Sequence, residues 1–219
     1  MFTFALIGCG RIGNRHADLI VKIGKLVAVC DTDAARCNLL AQKYGATAYN
    51  SLDELLQSQP EVQHVLCEKP LCLSAAAAWS IMDTAHFFRR HVYIVKQNRF
   101  NEAVVFANKL LSENALGRIL SFEINCFWNR PAQYYDGSWR GSIENDGGLL
   151  YTQFSHFIDL LYWFLGDVSY VSGIKSNNQL REHLHIEDTG VAMIQLKSGA
   201  TGSINYTINS YENNTEGSF

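Results

Sequence analysis

Prolines are scarce in this 219-residue chain, which has three. No Pro- or Gly/Ser-rich run marks a flexible linker, and no internal repeat is visible. Basic residues form no cluster beyond Arg89-Arg90-His91, and the net charge is −3 with a pI of about 6.1. That charge pattern lacks the electrostatic footprint of a nucleic-acid binder. The longest apolar stretch, around Phe154–Leu165, is short and carries His156 and Asp159, which excludes a membrane span. The apolar start has no basic leader, so no secretory signal is expected. The six cysteines (Cys9, Cys30, Cys37, Cys67, Cys72 and Cys126) are scattered without a Cys-x-x-Cys pair. They read as reduced thiols of a cytoplasmic protein, and no metal site is expected.

What is present is enough apolar sequence for a proper core: 47% hydrophobic against 18% charged, sufficient for one or two small domains. The chain opens on an apolar run, Phe2-Thr-Phe-Ala-Leu-Ile, that reads as a buried strand. Gly8-x-Gly10-x-x-Gly13 follows and leads into a helical pattern over Asn14–Gly24. In such a fingerprint the first glycine permits a tight turn and the second lets backbone approach a pyrophosphate. The third allows close helix–strand packing, and the helix N-terminus faces the phosphates. Arg11 and Ile12 lie inside the fingerprint. A second strand, Leu26–Cys30, ends at Asp31, placed to accept hydrogen bonds from adenosine ribose hydroxyls. A bare carboxylate would repel a 2′-phosphate, so NAD is the expected cofactor rather than NADP.

Strand and helix patterns alternate through the first half. Helices are expected at Ala34–Tyr44, Leu52–Gln57 and Ser74–Phe88, and strands at Ala46–Tyr49, Gln63–Cys67 and Val92–Val95. This alternation predicts an α/β fold with a doubly wound, Rossmann-type parallel sheet over residues 1–98. From Arg99 the texture changes to a helix at Glu102–Ser112, a strand at Ile119–Trp128 and an irregular aromatic segment at Asn129–Asn145. An apolar helix near Tyr151–Leu165 follows, then strands at Val168–Lys175, His185–Leu196 and Ala200–Ile208. Residues 99–219 therefore read as an α+β domain with a largely antiparallel open sheet.

Three places carry chemistry. Cys67-Glu68-Lys69-Pro70 sits at the C-terminal end of a strand, where open α/β sheets put their ligands. A lysine held there and buried would have a lowered pKa suited to proton transfer or to orienting a hydroxyl. The alternative is a surface lysine in a turn. His156 falls near the start of the apolar helix, whose positive end favours a neutral imidazole able to act as a base. The alternative is a core histidine, with Asp159 a structural partner. Arg130, Tyr134, Tyr135, Trp139 and Arg140 crowd one loop. The arginines suit carboxylate or phosphate groups and the aromatics a sugar or base face, unless the loop packs on a neighbouring subunit. Gln97-Asn98-Arg99 adds a further polar cluster after a strand end.

The fingerprint, the Glu-Lys-Pro string and the Gly147-Gly148…His156 helix occur in the order seen in the Gfo/Idh/MocA family, which the chain resembles over nearly its whole length. The strings Val95-Lys-Gln-Asn-Arg99, Phe127-Trp-Asn-Arg-Pro131, Tyr134-Tyr135, Trp139-Arg140-Gly141 and Ile186-Glu-Asp-Thr-Gly190 resemble the branch that oxidises the 3-hydroxyl of UDP-N-acetylglucosaminuronate in surface-polysaccharide synthesis. The resemblance implies NAD as hydride acceptor, His156 as acid/base and Lys69 orienting the hydroxyl, with Glu68 near the cofactor. It implies Asn98, Arg99, Arg130, Tyr134, Tyr135, Trp139, Arg140 and Thr152 as substrate contacts. It also implies a sugar or UDP-sugar as partner, homo-oligomers through the second-domain sheet and, as in some relatives, recycling of a held cofactor by a second substrate such as 2-oxoglutarate.

The chain departs from the family pattern at three points. Many inositol and simple-sugar members have an aspartate where Thr152 stands, which leans toward the sugar-nucleotide branch. The Pro60-Glu-Val-Gln63 segment joins directly to His64, where relatives insert a strand and crossover helix of about 25 residues before the Glu-Lys-Pro strand. Either Gln63–Cys67 fills the vacated slot or the sheet has a gap. The chain also stops early, at Phe219. A non-catalytic NAD-binding regulator or inactive paralogue, and a free-sugar or inositol dehydrogenase, remain alternatives.

Overall fold

A computed structural model describes residues 2–58 and 64–219. The chain divides into two compact units, Met1–Val65 with Thr84–Val92, and Leu66–Asp83 with Tyr93–Phe219.

The first unit begins with β1 (Phe2–Ile7), α1 (Arg11–Ile23), β2 (Gly24–Cys30), α2 (Ala34–Tyr44), β3 (Thr47–Tyr49) and α3 (Leu52–Ser58). The three strands form a parallel sheet in the order β1-β2-β3. Leu6, Leu26 and Val29 pack with Ala17 of α1 and with Cys37, Leu40 and Ala41 of α2. Ala28 and Cys30 pack with Leu55 of α3. Leu26 and Val29 join one cluster despite their odd spacing because the β1–β2 register shifts between Phe4 and Ala5, skipping Val27. Helix α1 starts at Arg11 rather than Asn14, because Gly10 takes the extended cap position itself. Asp33 caps α2 by accepting from the Ala35 and Arg36 N–H groups, and Gly45 in the left-handed region (φ 65°) ends it.

Two further strands, β4 (His64–Cys67) and β5 (His91–Ile94), flank α4 (Ala75–Phe87). They form a separate two-stranded sheet. Of the two arrangements expected for the shortened Rossmann-type domain, a filled slot or a gap, the described residues show the gap. Among the described residues β1 pairs with β2 alone, and β4 pairs with β5 instead of filling the slot beside β1. Gln63, the expected first residue of that strand, and the Gln63–His64 junction lie outside the described residues. The apolar surfaces bear the mark of the break. Helix α4 buries none of its residues, with Trp79 at 70% and Phe87 at 79% exposure.

The second unit adds a 3-10 turn at Gln97–Phe100, α5 (Glu102–Ser112), β6 (Ser121–Phe127), a 3-10 turn at Ala132–Tyr134 and α6 (Ile143–Asp146). Then come α7 (Ser155–Leu165), β7 (Val168–Ser176), β8 (Thr189–Leu196), β9 (Thr201–Thr207) and β10 (Glu216–Ser218). The five strands lie in the order β10-β6-β9-β8-β7, with β6–β9 parallel and the other pairs antiparallel. Period-2 alternation puts Ile124, Cys126, Ile194, Leu196, Ile204 and Tyr206 on one face, where they meet Phe154, Phe157 and Leu161. Helix α7 begins four residues later than the apolar pattern suggests, because Tyr151–Phe154 are held in turns. The strand expected from His185 starts at Thr189. The Asp188 side chain accepts the N–H groups of Asn178, Gln179 and Leu180 through one oxygen and ties down the preceding loop, while its backbone still bonds Ser176 and Ile208.

Candidate functional site

In the first unit the glycines behave as close packing requires. A Cβ on Gly13 would lie 1.8 Å from the Gly8 carbonyl oxygen, so only glycine lets α1 rest on the turn. Gly8 itself has φ +93°, a conformation that disfavours any other residue. Around Gly10 nothing lies within 4 Å of an added Cβ, which leaves room for a ligand at the N-terminus of α1. Arg11 and Ile12 open that helix and are exposed. The Asp31 carboxylate accepts the Asp33 N–H at 2.8 Å and the Cys9 N–H at 2.6 Å. These bonds hold it below the usual carboxylate range, so it is ionised and oriented beside the loop. Buried thiols lie next to it, and Cys9 is pushed up to about 12, first by burial. They are packing groups rather than nucleophiles. The open cradle, free helix N-terminus and fixed carboxylate fit the adenosine diphosphate half of NAD.

The second unit brings the two catalytic candidates together. Lys69 follows β4, and its Nζ donates to the Thr152 carbonyl oxygen at 2.5 Å. Burial lowers its pKa, only partly offset by the neighbouring Glu68. His156 is in the first turn of α7 and is 6% exposed. Its pKa falls to about 4, first through burial and then through the charges of Lys69 and Lys96, so the ring is neutral at pH 7. A neutral imidazole beside a buried ammonium is a base paired with a group that stabilises developing oxyanion charge. Glu68 follows β4 directly, and one of its oxygens accepts the Lys69 N–H at 3.3 Å.

Arg99 is engaged within the chain. Its guanidinium makes a bidentate pair with Asp159 at 2.7 and 2.7 Å and lies over the Trp163 ring at 5.0 Å. That engagement fastens the Gln97–Phe100 turn, which includes Asn98, onto α7. Thr152 is 4% exposed; its hydroxyl donates to Asp146 and its carbonyl oxygen accepts from Lys69. Tyr135 is a core residue at 3% exposure, with its hydroxyl buried and without a hydrogen-bond partner among the described residues.

Arg130, Tyr134, Trp139 and Arg140 do assemble. The Arg130 guanidinium lies 4.9 Å from the Trp128 ring and 5.5 Å from Tyr134. Arg140 lies 5.0 Å from both Tyr134 and Trp139. Arg140 donates only to Ser138 among the described side chains, leaving a stacked cation without a carboxylate partner.

The residues missed in the sequence are supports and neighbours. Buried Asp146 accepts from the Gly141 N–H and the Thr152 hydroxyl. Buried Glu187 accepts the Leu149 N–H at 2.9 Å and shapes the Gly147–Gly148 turn. Lys96 stands near His156, and Gln97 touches it, Nε2 to Nε2, at 3.1 Å. The Gln97-Asn98-Arg99 cluster was the one sequence signal for this contact. Among the described residues no group of three or more His, Cys, Asp or Glu could hold a metal, and no helix is long and apolar enough to cross a membrane.

Comparison with known proteins identifies the family. A model of the GFO/IDH/MocA C-terminal domain matches residues 104–218. A model of the oxidoreductase family, NAD-binding Rossmann fold, matches residues 2–63. The WlbA dehydrogenase from Chromobacterium violaceum, solved with NADH and UDP-GlcNAcA, superposes with a TM-score of 0.90 at 33% identity, over 99% of this chain and 70% of that one. The WlbA dehydrogenase from Bordetella pertussis, also solved with NADH and UDP-GlcNAcA, gives 0.90 and 33% over 98% and 73%. Glucose-6-phosphate 3-dehydrogenase of Bacillus subtilis is 25% identical over 196 residues, covering 78% of this chain. The chain spans only 56% of that relative's length.

Proposed function

The chain belongs to the Gfo/Idh/MocA family of oxidoreductases, and from that premise we propose that it uses NAD to oxidise a secondary hydroxyl of a sugar, the C3 hydroxyl of a UDP-linked N-acetylated sugar acid. The observation that carries the reading is the pairing of a neutral, buried His156 with the Lys69 ammonium at one end of α7. When bound, NAD supplies the hydride acceptor. His156 takes the hydroxyl proton at Nε2, because Nδ1 is enclosed. Lys69 holds the hydroxyl oxygen and stabilises the charge that grows on it as the proton leaves. Arg140 and Arg130, stacked on Tyr134, would take the anionic groups of the substrate, with Trp139 against a ring face. Gly8, Gly10, Gly13 and Asp31 would hold the cofactor's diphosphate and ribose, the bare carboxylate selecting NAD.

The outer face of the five-stranded sheet carries Tyr170 (61% exposed), Ile174 (76%) and Met193 (64%) among polar neighbours. A second copy of the chain covers that face in this reading. The setting is the cytoplasm, where six unpaired thiols persist, and the role is in building surface polysaccharide.

The test is reduced-nicotinamide absorbance with NAD and a UDP-N-acetylated sugar acid, alongside glucose 6-phosphate and inositol. The reading expects turnover of the first alone, competitive inhibition by UDP, and loss of activity in Lys69→Met and His156→Gln. Turnover of a free sugar unaffected by UDP would assign the chain to the free-sugar dehydrogenases. The break between the β1 and β4 sheets favours a second reading, an NAD-binding protein without turnover. It expects NAD binding by calorimetry and no substrate-dependent reduction.

A further inference from the structure

The imidazole of His156 has one enclosed nitrogen and one reachable nitrogen. Nδ1 is buried and has no hydrogen-bond partner among the described residues. Nε2 meets the Gln97 carboxamide nitrogen at 3.1 Å, and Gln97 is exposed where His156 is not. The approach to the ring is therefore the place that Gln97 holds. That placement is rigidly set. The Gln97–Phe100 turn is fastened to α7 by the bidentate Arg99–Asp159 pair, and Asp159 lies one helical turn beyond His156. Two residues along the 3-10 turn thus match three along the helix, and Gln97 falls opposite the imidazole.

We propose that Gln97 is the positioning residue of His156: its amide N–H donates to Nε2, fixes the tautomer that leaves this nitrogen basic, and gives up the position to the substrate hydroxyl. This rests on the sugar-oxidation reading above. Donation from Gln97 requires a lone pair on Nε2 and puts the ring's single proton on Nδ1. A substrate hydroxyl that displaces the carboxamide then donates to the same lone pair. As its proton passes to Nε2, the hydride leaves the carbon for NAD, and the ring becomes an imidazolium with N–H groups at both nitrogens. After the product departs, a half-turn of the carboxamide presents Oε1, which accepts from the new Nε2–H until that proton is released. A carboxamide serves both charge states without adding charge. A carboxylate serves the protonated ring, and a thioether serves neither well.

The charged groups facing the ring come from three places: Glu68 and Lys69 after β4, Lys96 after β5, and Asp159 on α7 itself. Burial first, and then the two lysines, hold the ring neutral, and an uncharged partner at Nε2 preserves that balance.

The experiment uses the full chain labelled with nitrogen-15 at histidine, with the His156 signals assigned by their loss in His156→Gln. The expected free-protein spectrum at pH 7 has a neutral ring protonated at Nδ1. Gln97→Glu is expected to raise the titration midpoint of the ring by roughly one to three pH units, as a carboxylate in contact should. In that variant the acidic limb of kcat/KM rises with the midpoint. Gln97→Met should lower kcat with little change in the KM for NAD, and the tautomer preference should be lost. A proton on Nε2 in the free protein, or a midpoint unmoved by Gln97→Glu, overturns the proposal whatever the turnover. Absence of turnover with the tautomer and the shift as expected overturns the hand-over to substrate and the sugar-oxidation reading, while leaving the pairing intact.

Discussion

Gly13→Ala and Gly10→Ala separate what the glycine loop does for the fold from what it does for a ligand. A Cβ at position 13 would sit 1.8 Å from the Gly8 carbonyl oxygen and 2.9 Å from its carbon. An ordinary contact needs about 3.4 Å, so α1 and the turn must part by roughly 1.5 Å or more, against backbone on both sides. Overpacking of this kind costs about 1–3 kcal/mol, and better helix propensity returns at most about 1 kcal/mol. A net loss near 2 kcal/mol lowers Tm by roughly 4–8 °C in a chain of this size. The same displacement moves the helix N-terminus, so NAD affinity should fall at least tenfold. Gly10→Ala differs in kind. Its φ of −71° suits alanine and nothing lies within 4 Å of the new methyl. Stability should change by less than about 1 kcal/mol, the penalty of alanine at a helix cap. NAD affinity should still fall, because the methyl enters the space left for the pyrophosphate. Thermal unfolding and calorimetric titration with NAD measure the two effects. If Gly13→Ala keeps both its Tm and its affinity, the contact between helix and turn is refuted. If Gly10→Ala binds NAD as the parent does, the pyrophosphate does not sit there.

The depressed pKa of His156 makes stability depend on acid. The unfolded ring protonates near pH 6.5 and the folded ring near 4, so the unfolded state binds more protons between those values. Stability is full above pH 6.5 and falls on acidification toward pH 4, by up to about 3 kcal/mol from this residue. Urea midpoints at pH 7 and pH 5 should show a drop that His156→Gln reduces, and an unchanged drop would count against the assignment. Lys69→Met removes a charge beside the imidazole, so the His156 midpoint should rise while kcat falls by about 10²–10⁴, read from pH–rate profiles. A kcat within tenfold of the parent would refute a catalytic Lys69. The proposal that a second copy covers the outer face of the five-stranded sheet expects Met193→Asp to lower the mass found by light scattering to that of one chain, and a parent that is already monomeric or a variant of unchanged mass would refute it.

Local signals carried much of the architecture. The glycine spacing and the carboxylate after β2 identified the nucleotide loop because each glycine answers a short-range steric demand within about 25 residues of chain. Alternation in β6 and β9 and the apolar stripe of α7 placed the second sheet and its core for the same reason. The ends of elements were less legible where side chains reach across the chain. The Asp188 side chain collects three N–H groups of the loop that precedes β8, and the turn at Tyr151–Phe154 is held by Asp146 and Lys69 rather than by its own pattern.

The order of motifs along the chain thus settled the family and the candidate residues: the glycines, Lys69 and His156. Their chemical states were decided only by folding. Burial neutralises His156, Asp159 clamps Arg99, and a shared turn sets Gln97 on Nε2. These depend on desolvation and on contacts between residues 59 or 60 positions apart, Gln97 with His156 and Arg99 with Asp159, which no local pattern encodes.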